Sequence, residues 1–138
     1  MKKEKLIIKN RVQELQQIAE LLEVLESRWE LPPKVVMNMN LALEEVVSNV
    51  IFYAFKENTT HDIQLDFELK DQKLRVHITD DGIPFNPLQM PPPPDLEKKA
   101  EERNVGGLGI HFVKNFMDDL AYKRENDKNI LTLIKNIK

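Results

Sequence analysis

The sequence predicts an α+β two-layer sandwich, with helices packed on one face of a largely antiparallel sheet. Two observations carry the elements. Apolar residues recur at three- and four-residue spacing after residue 10 and again from Pro33, which marks amphipathic helices. Strict alternation on either side of Asp71-Gln72 marks a β-hairpin. A third observation, the element order β-α-α-β-β-long loop-α-β-β, selects the layered arrangement.

Each element follows from its residues. Residues 5–9 are a short apolar run, read as the first strand, and Asn10 is placed to cap the helix after it. Val12, Leu15, Ile18, Ala19, Leu22 and Leu25 then form one helical face. Leu31-Pro32-Pro33 ends that helix, and Pro33 suits the first turn of the next, where a missing N–H does no harm. This second helix runs to about Phe55 and is apolar on more than one face, so it belongs at the centre. Residues 56–60 form a polar turn. Ile63, Leu65, Phe67 and Leu69 then point to the core, and so do Leu74, Val76 and Ile78 across the hairpin.

After Asp80 the pattern stops until about Gly106, a stretch holding six of the eight prolines. A loop of this length in a compact domain reads as a mobile lid, here at about residues 84–105, with one helical turn near 96–103. Gly107-Leu108-Gly109 opens a helix carrying Ile110, Val113, Phe116 and Met117, and strands at about 120–125 and 129–137 close the chain.

Composition removes several function classes. Twenty Lys and Arg stand against 23 Asp and Glu, a net charge of −3, which argues against binding nucleic acid by bulk charge. The chain has no Cys, which excludes disulfides, Cys-ligated zinc, iron–sulfur clusters and thiol catalysis. No apolar run approaches about 18 residues, so no membrane span is expected. The N-terminal apolar run is too short for a signal peptide. The expectation is one cytoplasmic domain over residues 1–138.

Three short motifs could carry chemistry. Glu45 and Asn49 sit four apart on the central helix, on one face with the small Ala42. Alone, such a pair reads as a polar stripe. Its apolar neighbours Val46, Val47, Val50 and Ile51 argue otherwise, and the pair could hold Mg²⁺ or orient a hydroxyl nucleophile. Asp80-Asp81-Gly82 follows a strand whose phase points Asp80 inward, where a carboxylate needs a donor such as an amino group. Gly82 permits a turn or a close backbone approach. Gly106-Gly107-Leu108-Gly109 precedes a helix, whose first N–H groups and dipole favour phosphate. A dinucleotide-binding fold is disfavoured, because its glycines follow the first strand of a parallel unit.

Together, as E-x-x-x-N, then D-x-G after a strand, then G-x-G after a lid, these motifs resemble the GHKL ATPase superfamily. LALEEVVSNVIFYAF, DDGIPFNP and GGLGIHFVKNFMDDLAY are most similar to its anti-sigma-factor serine kinases. The resemblance implies a Bergerat-type ATP site and, residue by residue, these roles. Glu45 is the general base that orients the substrate hydroxyl, and Asn49 the Mg²⁺ ligand. Asp80 accepts from the adenine amino group, with Gly82 against the base. Gly107 and Gly109 bind phosphate. Beside the resemblance, the lid cations Lys98, Lys99 and Arg103 could each reach the phosphates on closure, although any one alone reads as part of a solvated charge run, and Arg103 lies nearest the glycine box. Thr132 substitutes near adenine for the Thr that relatives carry where this chain has Ile130. The chain also departs at Tyr53-Ala54, where relatives often carry His-Gly.

The activity implied is that of an ATP-dependent protein serine/threonine kinase and anti-sigma factor. Its partners would be an antagonist protein bearing the phosphoacceptor serine, and a sigma factor. Relatives commonly form homodimers. Two other readings stay open: a nucleotide-gated binding module without turnover, and a catalytic module working with a separate signalling partner. His61, His77 and His111 are scattered and read as structural or exposed.

Overall fold

The computed structural model describes residues 1–56, 58–89 and 105–138. Five strands form one sheet: β1 (Lys2–Lys9), β2 (Asp62–Lys70), β3 (Lys73–Asp80), β4 (Asp119–Glu125) and β5 (Lys128–Asn136), in the order β1-β2-β3-β5-β4. All four pairings are antiparallel. Helices α1 (Leu15–Arg28), α2 (Pro33–Tyr53) and α3 (Val105–Phe116) complete the second layer. The α+β sandwich read from the sequence is the fold of the chain.

Two hairpin turns set the register. Asp71-Gln72 and Asn126-Asp127 all have positive φ, 53° and 61° in each pair, the geometry of a two-residue turn that matches strand twist. With register set, alternation decides the faces. Ile63, Leu65, Phe67, Leu74, Val76, Ile78, Leu131 and Leu133 are buried beneath the helices. Gln64, Asp66, Arg75, His77 and Thr132 lie on the other face, where His77 Nδ1 and Thr132 Oγ1 are 2.8 Å apart.

The N-terminal half corrects one detail. Asn10 does not cap α1, which is preceded by a short 3₁₀ turn at Val12–Glu14. Asn10 instead ties the end of β1 to the loop before β2. Its Nδ2 donates to the Thr59 carbonyl at 3.0 Å, and its Oδ1 accepts from His61 N at 2.8 Å. At the far end of α1, Leu31 N donates to Glu26 O at 3.0 Å across Glu30, whose φ is 52°. That is a Schellman closure with a non-glycine residue in the left-handed position.

Helix α2 is long and apolar enough to cross a membrane by length and composition alone, a test that a buried core helix also meets. Its apolar residues are accounted for by the core. Val36, Met39, Leu43, Val46, Val47 and Val50 are all buried among α1, α3 and the sheet. This central position places Glu45 and Asn49 beside α3.

The loop after β3 holds its course further than expected. A 3₁₀ turn spans Pro87–Gln89, Pro87 is buried, and Phe85 packs on Tyr53 with ring centroids 5.8 Å apart. Asn86 Oδ1 accepts from Leu88 N at 2.9 Å. The start of the expected lid is therefore packed structure. Its remainder, with the helical turn near 96–103 and the cations Lys98, Lys99 and Arg103, lies outside the described residues.

Candidate active site

Helix periodicity brings the first pair together. Asn49 lies one turn after Glu45 on α2, and its Nδ2 donates to Glu45 Oε2 at 3.3 Å. Asn49 is only 2% exposed, whereas Glu45 is half-buried. Burial pushes the Glu45 carboxyl above its usual range, the Asn49 hydrogen bond opposes this, and the charge of Glu44 adds to it. A carboxylate so placed is a stronger base than a solvated one. No described group donates to Asn49 Oδ1, so that oxygen remains for a hard cation. Mg²⁺ takes one or two protein oxygens and fills its other positions with water and phosphate, so a single amide oxygen suits it.

The second group assembles across the sheet. Register aligns Ile63, Asp80, Asn129 and Arg124 in one row at the end of four strands. Asp80 is 3% exposed, as its inward phase required. Its Oδ1 accepts from Asn129 Nδ2 and from Gly82 N, each at 2.9 Å. Burial raises its pKa, and the Asn129 and Gly82 hydrogen bonds partly offset that. Both described bonds use Oδ1, which leaves Oδ2 to accept from an amino group.

Asn129 is the residue that sequence reasoning missed. Buried to 2%, it donates to Asp80 Oδ1 and to the Ile83 carbonyl at 2.8 Å. Its Oδ1 accepts from Tyr122 Oη at 2.5 Å and from Phe85 N at 3.2 Å. Two donors and two acceptors are thereby all used. Arg124 closes the row by donating to the Gly82 carbonyl at 2.7 Å. The signal was available, since Asn129 shares the inward phase of Leu131 and Leu133.

Gly82 has a local reason that its motif did not disclose. A Cβ there would lie 2.4 Å from the Ala54 carbonyl oxygen, which also accepts from Ile83 N at 2.9 Å. The glycine lets the loop after β3 dock against the end of α2, and no positive φ is involved.

Gly107 and Gly109 do not play the same part. Helix α3 begins at Val105, two residues before the expected start. Gly107 lies in the first described turn, ahead of the residues whose N–H groups the described helix ladder takes up. Gly109 is the fifth residue, so its N–H falls within that ladder and does not offer itself to phosphate. What Gly109 does instead is lie against Glu45, where a Cβ would come within 2.0 Å of Oε1.

Thr132 does not reach the site. It lies out of phase with Asn129 and Leu131, so β5 turns it to the opposite face, beside His77. The histidines are also better partnered than expected. His61 stacks on Phe55 with centroids 4.6 Å apart, and its Nδ1 is 3.0 Å from Asp81 Oδ1.

Comparison with known proteins bears on the family and the fold. The chain is 28% identical over 109 residues to the serine/threonine-protein kinase BtrW of Bordetella bronchiseptica, covering 79% of this chain and 75% of the relative. It is 28% identical over 107 residues to the serine-protein kinase RsbW of Listeria monocytogenes, covering 75% and 68%. Among solved structures, it is similar to the RsbU and RsbW domains of a Mycobacterium tuberculosis protein, with a TM-score of 0.70 at 10% identity. That match takes in 99% of this chain and 33% of the other, so this chain spans about a third of that protein. The catalytic domain of the histidine kinase ThkA gives a TM-score of 0.52 at 14% identity, over 99% and 98% of the two chains. These two likenesses carry the fold. With residues 8–135 matching the histidine kinase-like ATPase domain, the chain belongs to that family.

Proposed function

We propose that the chain is an ATP-dependent protein serine/threonine kinase of the anti-sigma type, which phosphorylates a serine of an antagonist protein and sequesters a sigma factor. The observation that carries this reading is the half-buried Glu45 carboxylate, held by Asn49 and pressed against the glycine-rich start of α3. The names of BtrW and RsbW as serine kinases support it.

The parts suit the chemistry. Asp80 Oδ2 accepts from the adenine amino group, held in place by Asn129 and Gly82. The free amides of the first turn of α3 face phosphate. Asn49 Oδ1 would hold Mg²⁺, which would supply charge neutralisation at the phosphates. Glu45 orients the serine hydroxyl and takes its proton. The serine Oγ–P bond forms as the bond from the γ-phosphorus to the bridging oxygen breaks, and ADP leaves with that electron pair.

The test is transfer of labelled phosphate from ATP to the antagonist, beside calorimetric ATP binding. Glu45→Gln keeps size and shape but removes the base. ATP affinity should change by less than about tenfold while transfer falls by roughly 10²–10⁴. Asn49→Ala should lower Mg²⁺-dependent ATP binding and transfer together. Wild-type transfer by Glu45→Gln removes Glu45 from the role of base. Tight ATP binding without transfer to any serine-bearing partner makes the chain a nucleotide-gated binding module.

A further inference from the structure

A cavity of about 170 Å³ lies between α2 and α3, separate from the row at Asp80. Leu41, Ala42, Glu45, Gly109, Phe112 and Phe116 line it. Glu45 is its one charged wall among the described residues. The rim is apolar and open to solvent: Leu41 is 49% exposed and Phe112 is 56% exposed. Phe112 and Phe116 stack with rings tilted by only 16°, forming a firm wall on the α3 side. Large apolar side chains left open beside a charged catalytic group mark a binding surface.

We propose that this cavity is a specificity subsite that receives an apolar side chain flanking the phosphoacceptor serine. The inference rests on the kinase reading and deepens it. Its occupant must offer two things together: a hydroxyl for Glu45, and an apolar group for Leu41 and the stacked phenylalanines. A serine with an apolar neighbour in the same extended segment offers both. The size agrees, since apolar cavities of about 150 Å³ hold one benzene ring, far less than a nucleotide or a helix. A second copy of this chain seated here would bar Glu45 from its substrate.

The experiment uses synthetic serine peptides whose flanking positions carry Leu, Phe, Lys or Asp in turn. Phosphorylation by the full chain is read with Mg-ATP. Binding is read separately by fluorescence anisotropy, with Mg²⁺ and a non-hydrolysable ATP analogue. Leu or Phe at one flanking position should raise kcat/KM about tenfold or more over Asp, the range set by one apolar group in a pocket. Leu41→Asp and Phe112→Asp should each flatten that preference by raising the peptide KM, with the KM for ATP unchanged. Phe112→Leu should keep it. Both positions are exposed, and melting curves check that the variants fold.

Binding of apolar-flanked peptides that Leu41→Asp and Phe112→Asp abolish, with no phosphorylation, upholds the cavity as the seat of the apolar side chain and removes the kinase reading together with the phosphoacceptor role of the serine. Phosphorylation with no flanking preference, or a preference that survives both Asp variants, upholds the kinase and overturns the subsite. Failure of wild type to bind any apolar-flanked peptide also overturns it. So does a dimer that Leu41→Asp converts to monomer in sedimentation, because a second copy then covers the cavity.

Discussion

Gly109 and Glu45 pack so closely that a methyl group at position 109 would lie 1.9 Å from the Glu45 carboxyl carbon. The glycine is therefore the space that the proposed base occupies. Alanine in a helix interior is intrinsically favoured by about 1 kcal/mol over glycine, so Gly109→Ala leaves the helix able to form and pushes the carboxylate aside. Phosphoryl transfer should fall about 100-fold while ATP affinity stays within about threefold. Calorimetry and a transfer assay on the same preparation check this. An equal loss in both would return Gly109 to phosphate binding.

Asp80→Asn should separate stability from nucleotide binding. Burial raises the Asp80 pKa in the folded state, so the ionised form is disfavoured there. The contribution is fully present below the ordinary carboxylate pKa and is lost as pH rises through the raised value. Asn does not titrate. Near neutral pH the nucleotide-free variant should be more stable by about 0.5–2 kcal/mol, and the gap should close in acid. Its ATP affinity should nonetheless fall about tenfold or more, for want of a charge-assisted bond. Thermal melts with and without Mg-ATP, at several pH values, measure both.

Asn129 should prove costly to remove. Asn129→Ala leaves Asp80 Oδ1, the Ile83 carbonyl, Phe85 N and Tyr122 Oη each short of a partner. The expected loss is about 2–4 kcal/mol by urea denaturation. Tyr122→Phe removes one of these bonds and should cost about 1 kcal/mol. Equal losses for the two variants would show that the network acts through Tyr122 alone.

The pH profile of transfer should report Glu45. Its carboxyl is raised by burial, with Glu44 adding to the shift, so the rate should fall on the acid side of that raised value as the base protonates. Glu44→Gln removes the neighbouring charge, and the acid limb should move to lower pH. A limb that does not move would mean that another group sets it.

Glu30→Gly tests the end of α1. Glu30 holds φ 52° where glycine pays no steric cost. The substitution should stabilise the chain by about 1 kcal/mol, seen as a higher urea midpoint with an unchanged slope.

Sequence alone determined the periodicities and what they entail. The 3.6-residue repeat of α2 put Glu45 and Asn49 on one face, and the two-residue repeat of β3 turned Asp80 inward. Those relations hold within one element, so spacing is enough to read them. The same rule applied to β5 would have turned Asn129 inward and Thr132 outward. Only the tertiary structure decided what lies between elements. Gly82 meets Ala54 because the loop after β3 docks on the end of α2. Gly109 meets Glu45 because α3 packs beside α2. Asn129 finds Asp80 because the β3–β5 register sets them side by side across 49 residues of chain. A glycine or an amide has no pattern of its own. Its role is set by the neighbour that long-range packing brings within contact, and no local spacing encodes that neighbour.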